Sequence, residues 1–143
     1  MTQHMDLLVD RIGLSMWRVQ RKIISRMALN KELGLTFPQY SLLNIIASEE
    51  KSKVVRLAEK MEVKSSAITV MLDRMELLGL TIREMDENDR RAVMVSLTEK
   101  GYTVLQEGQK RSKQLLREHL SILTLEELES FAGYFDMVER QER

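Results

Sequence analysis

The chain of 143 residues has no cysteine, one proline, six glycines and two histidines. Without cysteine there is no disulfide, thiolate metal site, cysteine nucleophile or cysteine-based peroxide sensor. Two widely separated histidines, His4 and His119, leave little from which to build a metal centre. So few turn formers argue against an all-β sandwich, while 43% hydrophobic residues are too many for a disordered chain. Lys plus Arg number 22 and so do Asp plus Glu, so no global field of one sign points to a nucleic acid or a membrane. Any such partner has to be argued locally. No apolar run approaches the ~18 residues of a membrane span. The opening residues carry Asp6 and Asp10, which fits neither a signal nor a transit peptide. A Gly-rich phosphate loop, a nucleophile motif and a His/carboxylate pair are all missing. The expectation is one mostly helical cytoplasmic domain, not an enzyme, with no metal and no cofactor.

What is present is helical periodicity. From Met5 to Asn30, the residues Leu8, Ile12, Met16, Val19, Ile23 and Met27 recur at steps of three and four, with Leu7, Leu14, Trp17 and Ile24 on roughly the opposite side. A helix apolar on two sides either sits in a core or packs on its own domain with one side and on a second chain with the other, and in so short a chain the second is the expectation. Thr36, Pro38 and Gln39 read as a helix start, with Thr36 as N-cap and Gln39 in the capping-box position. That helix should run to about Ser48 behind an apolar face of Tyr40, Leu43, Ile46 and Ala47. After a polar turn from Glu49 to Lys53, Val54, Leu57, Ala58 and Met61 mark a short helix. Ser65 or Ser66 caps a third, whose Ile68, Met71, Leu72, Met75 and Leu78 keep helical spacing up to a terminal Gly79.

The period then becomes alternating: Leu80 and Ile82, a charged loop from Met85 to Arg91, then Val93, Val95 and Leu97. This is a β-hairpin whose loop projects. Thr98 caps a long helix carrying Tyr102, Leu105, Leu115, Leu116 and Leu120, and a capping box from Thr124 to Glu127 opens the last helix. Three helices with a tight middle turn, followed by a hairpin, form a winged helix-turn-helix. Its physical logic is a short helix in the major groove of double-stranded DNA and a loop at a flanking minor groove. The expected fold is therefore mostly α with a small β-hairpin wing, one domain over 1–143. The core occupies 36–98, and 1–35 and 99–143 supply flanking dimerisation helices. A single recognition helix contacts only a few base pairs, so a homodimer on a two-fold site is expected.

The runs LTFPQYSLLNII, VVRLAEKMEV, SSAITVMLDRMELLGL and DENDRRAVMVSLTEKG resemble the MarR family of bacterial winged-helix transcription factors over Leu35 to Gly101. The most specific parts are Asp89-x-Arg91 and Leu97-Thr98-x-x-Gly101, at the family's distance from Asp73-Arg74. The resemblance implies a homodimeric repressor that binds palindromic operator DNA and is released by a small ligand or an oxidant. Two positions depart from the pattern. Glu62 stands where the family often has Gly in the helix-helix turn, so either a left-handed backbone there costs a few tenths to ~1 kcal/mol relative to Gly or the turn is built differently. Lys64 stands where a capping Ser or Asp is common, which moves the expected cap to Ser65.

Ser65, Ser66 and Thr69 open the proposed recognition helix on the side away from Ile68 and Leu72, where hydroxyls can meet phosphates or base edges; one of them would also be the N-cap. Arg74, two turns along, is a further DNA-contact candidate. In the wing, the resemblance implies that Arg91 enters the minor groove, that Asp89 orients it and that Arg90 is a phosphate neighbour. Met16, Trp17, Phe37, Tyr40 and Tyr102 are candidates for a small-molecule effector pocket, although aromatics and Met at helical spacing are commonly plain core. Between Thr36 and Thr98, nine Lys and Arg face ten Asp and Glu. This unfavourable balance keeps open an alternative in which the winged helix is a protein-protein adaptor without specific DNA binding.

Overall fold

The computed structural model describes residues 2–49, 51–89 and 91–141. Helix α1 spans Thr2–Arg26 and stops short of the expected Asn30. Ala28 turns left-handed (φ 51°), and a π-helical turn over Leu29–Leu33 follows, closed by left-handed Gly34 (φ 70°). The turn replaces a straight continuation of α1, and Met27, Leu29 and Leu35 are buried around it. Helix α2 (Phe37–Glu49) starts on the predicted capping box: the Gln39 N–H donates to Thr36 Oγ1 (3.3 Å) and the Thr36 N–H to Gln39 Oε1 (3.0 Å). Its Leu42, Leu43 and Ile46 are fully buried.

The polar turn after α2 is partly a strand. Ser52–Lys53 forms β1, which pairs with β3 (Val93–Leu97) and, with β2 (Thr81–Met85), makes the sheet three-stranded, in the order β1-β3-β2. Two residues are too short to carry an alternation, so no periodicity announced them. Helix α3 (Val54–Met61) ends at Glu62, which takes the left-handed conformation (φ 56°) that a glycine would take without strain. The Val63 N–H then reaches back to the Ala58 carbonyl (3.0 Å) and the Glu62 N–H to that of Glu59 (3.1 Å). Helix α4 covers Ser65–Leu77. Its N-cap is Lys64, in extended conformation and with no side-chain cap, so Ser65 is the first helical residue and neither serine is the cap. A left-handed Gly79 (φ 77°) ends the helix as expected.

Strands β2 (Thr81–Met85) and β3 (Val93–Leu97) form the hairpin, with Thr81 opposite Leu97 and Arg83 opposite Val95. The face of β2 expected to be apolar is turned the other way: Thr81 is buried and Ile82, opposite Ser96, is exposed. Leu80, though buried, precedes the strand, and a one-residue shift exchanges the two faces. Helix α5 (Glu99–Leu120) is joined to this hairpin through Thr98. The Thr98 hydroxyl donates to the Gly79 carbonyl (2.6 Å) and accepts from the Gly101 N–H (3.0 Å), while the Thr98 N–H donates to the Leu80 carbonyl (3.0 Å). A Cβ on Gly101 would lie 2.1 Å from the Leu80 oxygen, so only glycine permits this approach.

Arg111 of α5 fastens the end of α1, donating to the Met27 carbonyl (2.9 Å) and pairing with Glu32 (2.6 Å) and Glu107 (3.1 Å). Helix α6 (Leu125–Glu139) opens on a full capping box between Thr124 and Glu127. The Thr124 N–H holds the Glu127 carboxyl below its ordinary range. The core lies between α2, α3, α4, the sheet and the first turns of α5. No residue of α1 or α6 is buried.

Candidate nucleic-acid interface

Helix α4 turns Ile68, Leu72 and Met75 into the core. At 100° per residue, Ser66, Val70, Asp73 and Leu77 form the row farthest from that contact, with Thr69 and Arg74 flanking it; all six are exposed. Ser65 lies round toward the packed side, and its carbonyl accepts the Thr69 hydroxyl (3.0 Å). With no side chain capping the first turn, the backbone N–H groups of Ser65 and Ser66 stay open to an oxyanion.

The wing is held by its own backbone. The Asp86 N–H donates to the Ala92 carbonyl (3.0 Å) and the Ala92 N–H to that of Asp89 (2.9 Å). The Asp89 carboxylate accepts the Arg91 backbone N–H (3.1 Å), an Asx-type turn. Among the described residues no side-chain ion pair joins Asp89 to Arg91, whose side chain is exposed. Arg90 lies outside the described residues.

A contact that the sequence did not announce joins the wing to the helix. Arg83, on β2, places its Nη2 2.5 Å from Asp73 Oδ1 and 2.6 Å from Glu76 Oε2, with its Nε 3.0 Å from the same Glu76 oxygen. The Glu76 and Asp73 carboxylates raise the guanidinium's affinity for its proton. Two acidic groups on the recognition helix are thereby compensated by one cation from the wing strand. Glu49 is treated similarly: Lys60 above all, with Ser52 and Arg56, holds its carboxyl below the usual range. The acids of the core are thus partly spent on cations within it. The only sequence trace of the first arrangement is an acid pair three residues apart on one helix, which does not reveal which strand residue will meet it.

The five effector-pocket candidates are not gathered into one cavity. Phe37 and Tyr40 adjoin, with ring centroids 6.2 Å apart. Tyr40 is buried, and its ring lies where Gly108 of α5 would carry a Cβ, at 2.4 Å. Met16 and Trp17 are exposed on α1, and Tyr102 is exposed on α5. Trp17, with Arg21 stacked 5.2 Å from its ring centroid, instead lines an open hollow of about 320 Å³ with Gln20, Ile24 and Ser25. Among the described residues no group of three His, Asp or Glu could hold a metal ion, and no helix is long and apolar enough to cross a membrane.

Comparison with known proteins falls on this architecture. Residues 35–93 match the model of the MarR family. The HTH-type transcriptional repressor MdtR of Bacillus subtilis is 36% identical over 124 residues, covering 86% of this chain and 80% of that protein. The crystal structure of the YusO protein from Bacillus subtilis superposes with a TM-score of 0.73 at 33% identity, covering 96% of this chain and 98% of that one. A mutant MarR from E. coli, solved in complex with operator DNA, superposes with a TM-score of 0.73 at 25% identity, over 91% of this chain and 94% of that one.

Proposed function

The chain belongs to the MarR family of transcriptional regulators, and on that premise we propose that it is a homodimeric repressor that binds a two-fold operator. Its relative MdtR is named a repressor, and the related MarR binds operator DNA. The observation that carries the reading is the exposed side of α4, where Ser66, with Thr69 and Arg74 flanking its row, offers polar groups on a helix whose opposite side is fully engaged in the core. Uncapped N–H groups at its start suit a backbone phosphate, and the wing offers Arg91 to the adjacent minor groove. Arg83 partly offsets Asp73 and Glu76, the two acids of α4, although the local charge count itself is unchanged by the pairing.

Dimerisation is supported by what α1 and α6 leave uncovered. Leu8, Ile12, Met16 and Val19 on α1, and Phe131, Phe135 and Val138 on α6, are exposed in the single chain. Release by a small molecule rests on the family resemblance, and the exposed face of α1 around Trp17 and Arg21 is the place to test it. The test is a selection from randomised duplexes followed by a gel shift on the enriched sequence. A palindromic consensus bound at nanomolar protein is expected. Enrichment of no sequence would overturn the operator reading in favour of the adaptor. The chain's single tryptophan reports on the effector, because a ligand entering the hollow must change Trp17 fluorescence.

A further inference from the structure

The row of α4 that faces away from the core holds two apolar residues: Leu77 at the helix's last position and, nearer its start, Val70, which sits between polar neighbours. Ser66 lies one turn before it, and Asp73 and Arg74 lie one turn after. Its side chain is 68% exposed. A β-branched residue on an exposed helix surface contributes nothing to helix propensity and leaves its methyl groups in water, so the fold does not account for it. It is also separate from the exposed apolar faces of α1 and α6. Among the features that base edges present in the major groove, one is apolar, the 5-methyl group of thymine. Valine offers no hydrogen bond, so any base-edge donor or acceptor it covered would be left unsatisfied. In a helix its χ1 is held in one rotamer, which makes its two methyl groups a fixed surface rather than an adaptable one.

We propose that Val70 reads the 5-methyl group of one thymine in each half-site. The assignment rests on the operator reading above and adds to it a base and an atom. Val70 thus selects by contact: thymine is preferred through its 5-methyl group, which cytosine lacks.

The experiment uses the duplex enriched by the full chain from a randomised pool, remade with deoxyuridine in place of each thymine in turn. Deoxyuridine lacks only the methyl group. One thymine per half-site is expected at which this change weakens binding about fourfold, the worth of one buried methyl group. Val70→Ala removes the contact from both half-sites of the dimer at once, so binding to the unmodified duplex should fall by about the square of that factor, roughly sixteenfold, and the same deoxyuridine should make no further difference. Because Val70 is exposed, the variant should melt with the wild type, so a loss of binding is not a loss of fold. If every deoxyuridine position affects wild type and Val70→Ala equally, the assignment is overturned while the operator reading stands. If the selection enriches no sequence, both fall together.

Discussion

Asp89 commits its carboxylate to the backbone N–H of Arg91, which separates two roles that a sequence motif presents as one. The aspartate shapes the loop and leaves the arginine side chain available. Arg91→Ala should therefore cost DNA binding roughly 1–3 kcal/mol, about tenfold or more, with no change in thermal stability. Asp89→Asn should bind nearly as wild type, because its amide oxygen can accept the same N–H, whereas Asp89→Ala should bind less well by freeing the loop. A gel-shift titration in which the asparagine is as impaired as the alanine would indicate a charge pair instead. Arg83 works from the opposite direction. Its removal bares Asp73 and Glu76 toward the phosphates, so Arg83→Ala should lower affinity several-fold, and more at low salt than at high salt, where surface charges are screened. Adding Asp73→Asn and Glu76→Gln to that variant should restore much of the loss. A deficit that persists in the triple variant would mean that Arg83 acts by touching DNA.

At the scale of the element, the Leu97-Thr98-x-x-Gly101 pattern proves to be a joint and not a contact surface. Thr98 caps α5 while bonding to the end of the α4–β2 connection, and Gly101 admits the Leu80 carbonyl. Gly101→Ala pushes a Cβ onto backbone that no rotamer change can move, so it should destabilise the fold by about 1–3 kcal/mol in a urea melt. A melt equal to wild type would show that the joint yields. Elements with repeating periodicity and side-chain caps were readable in the sequence: α2 from its Thr36/Gln39 box, α6 from Thr124/Glu127, and the end of α4 from Gly79. Those set by backbone partners were not. Strand β1 exists because β3 lies beside it, the face of β2 follows from a register chosen across the sheet, and the cap of α4 fell on a lysine whose side chain caps nothing. The candidate site divides the same way. Its exposed hydroxyls and arginines follow from helix phase, whereas the Arg83 bridge joins residues seven and ten positions apart that only the fold brings together. The left-handed turn at Glu62 lies between the two, since its position was legible but its conformation had two solutions.

For the whole molecule, the deciding quantity is apolar surface that one chain cannot cover. Helices α1 and α6 form the two ends of the chain, neither contains a buried residue, and each carries a stripe of large apolar side chains. In the homodimer proposed above, a second copy would cover both stripes at once, because a two-fold axis brings the same patch from each chain together. The chain should therefore sediment as a dimer at micromolar concentration. Replacing Ile12 and Met16 on α1 with glutamate should produce a monomer that keeps its helicity, since neither side chain is part of the core. The DNA consequence follows from geometry. Two recognition helices related by a two-fold axis reach the same face of B-DNA only when the half-sites lie about one helical turn, ~10 bp, apart. Five base pairs inserted at the operator's centre rotate one half-site to the opposite face, so the dimer can engage only one. Binding should then fall to that of an isolated half-site, and the monomeric variant, already limited to one half-site, should be indifferent to the insertion. If the wild-type chain were equally indifferent, the two recognition helices would not be coupled through α1 and α6.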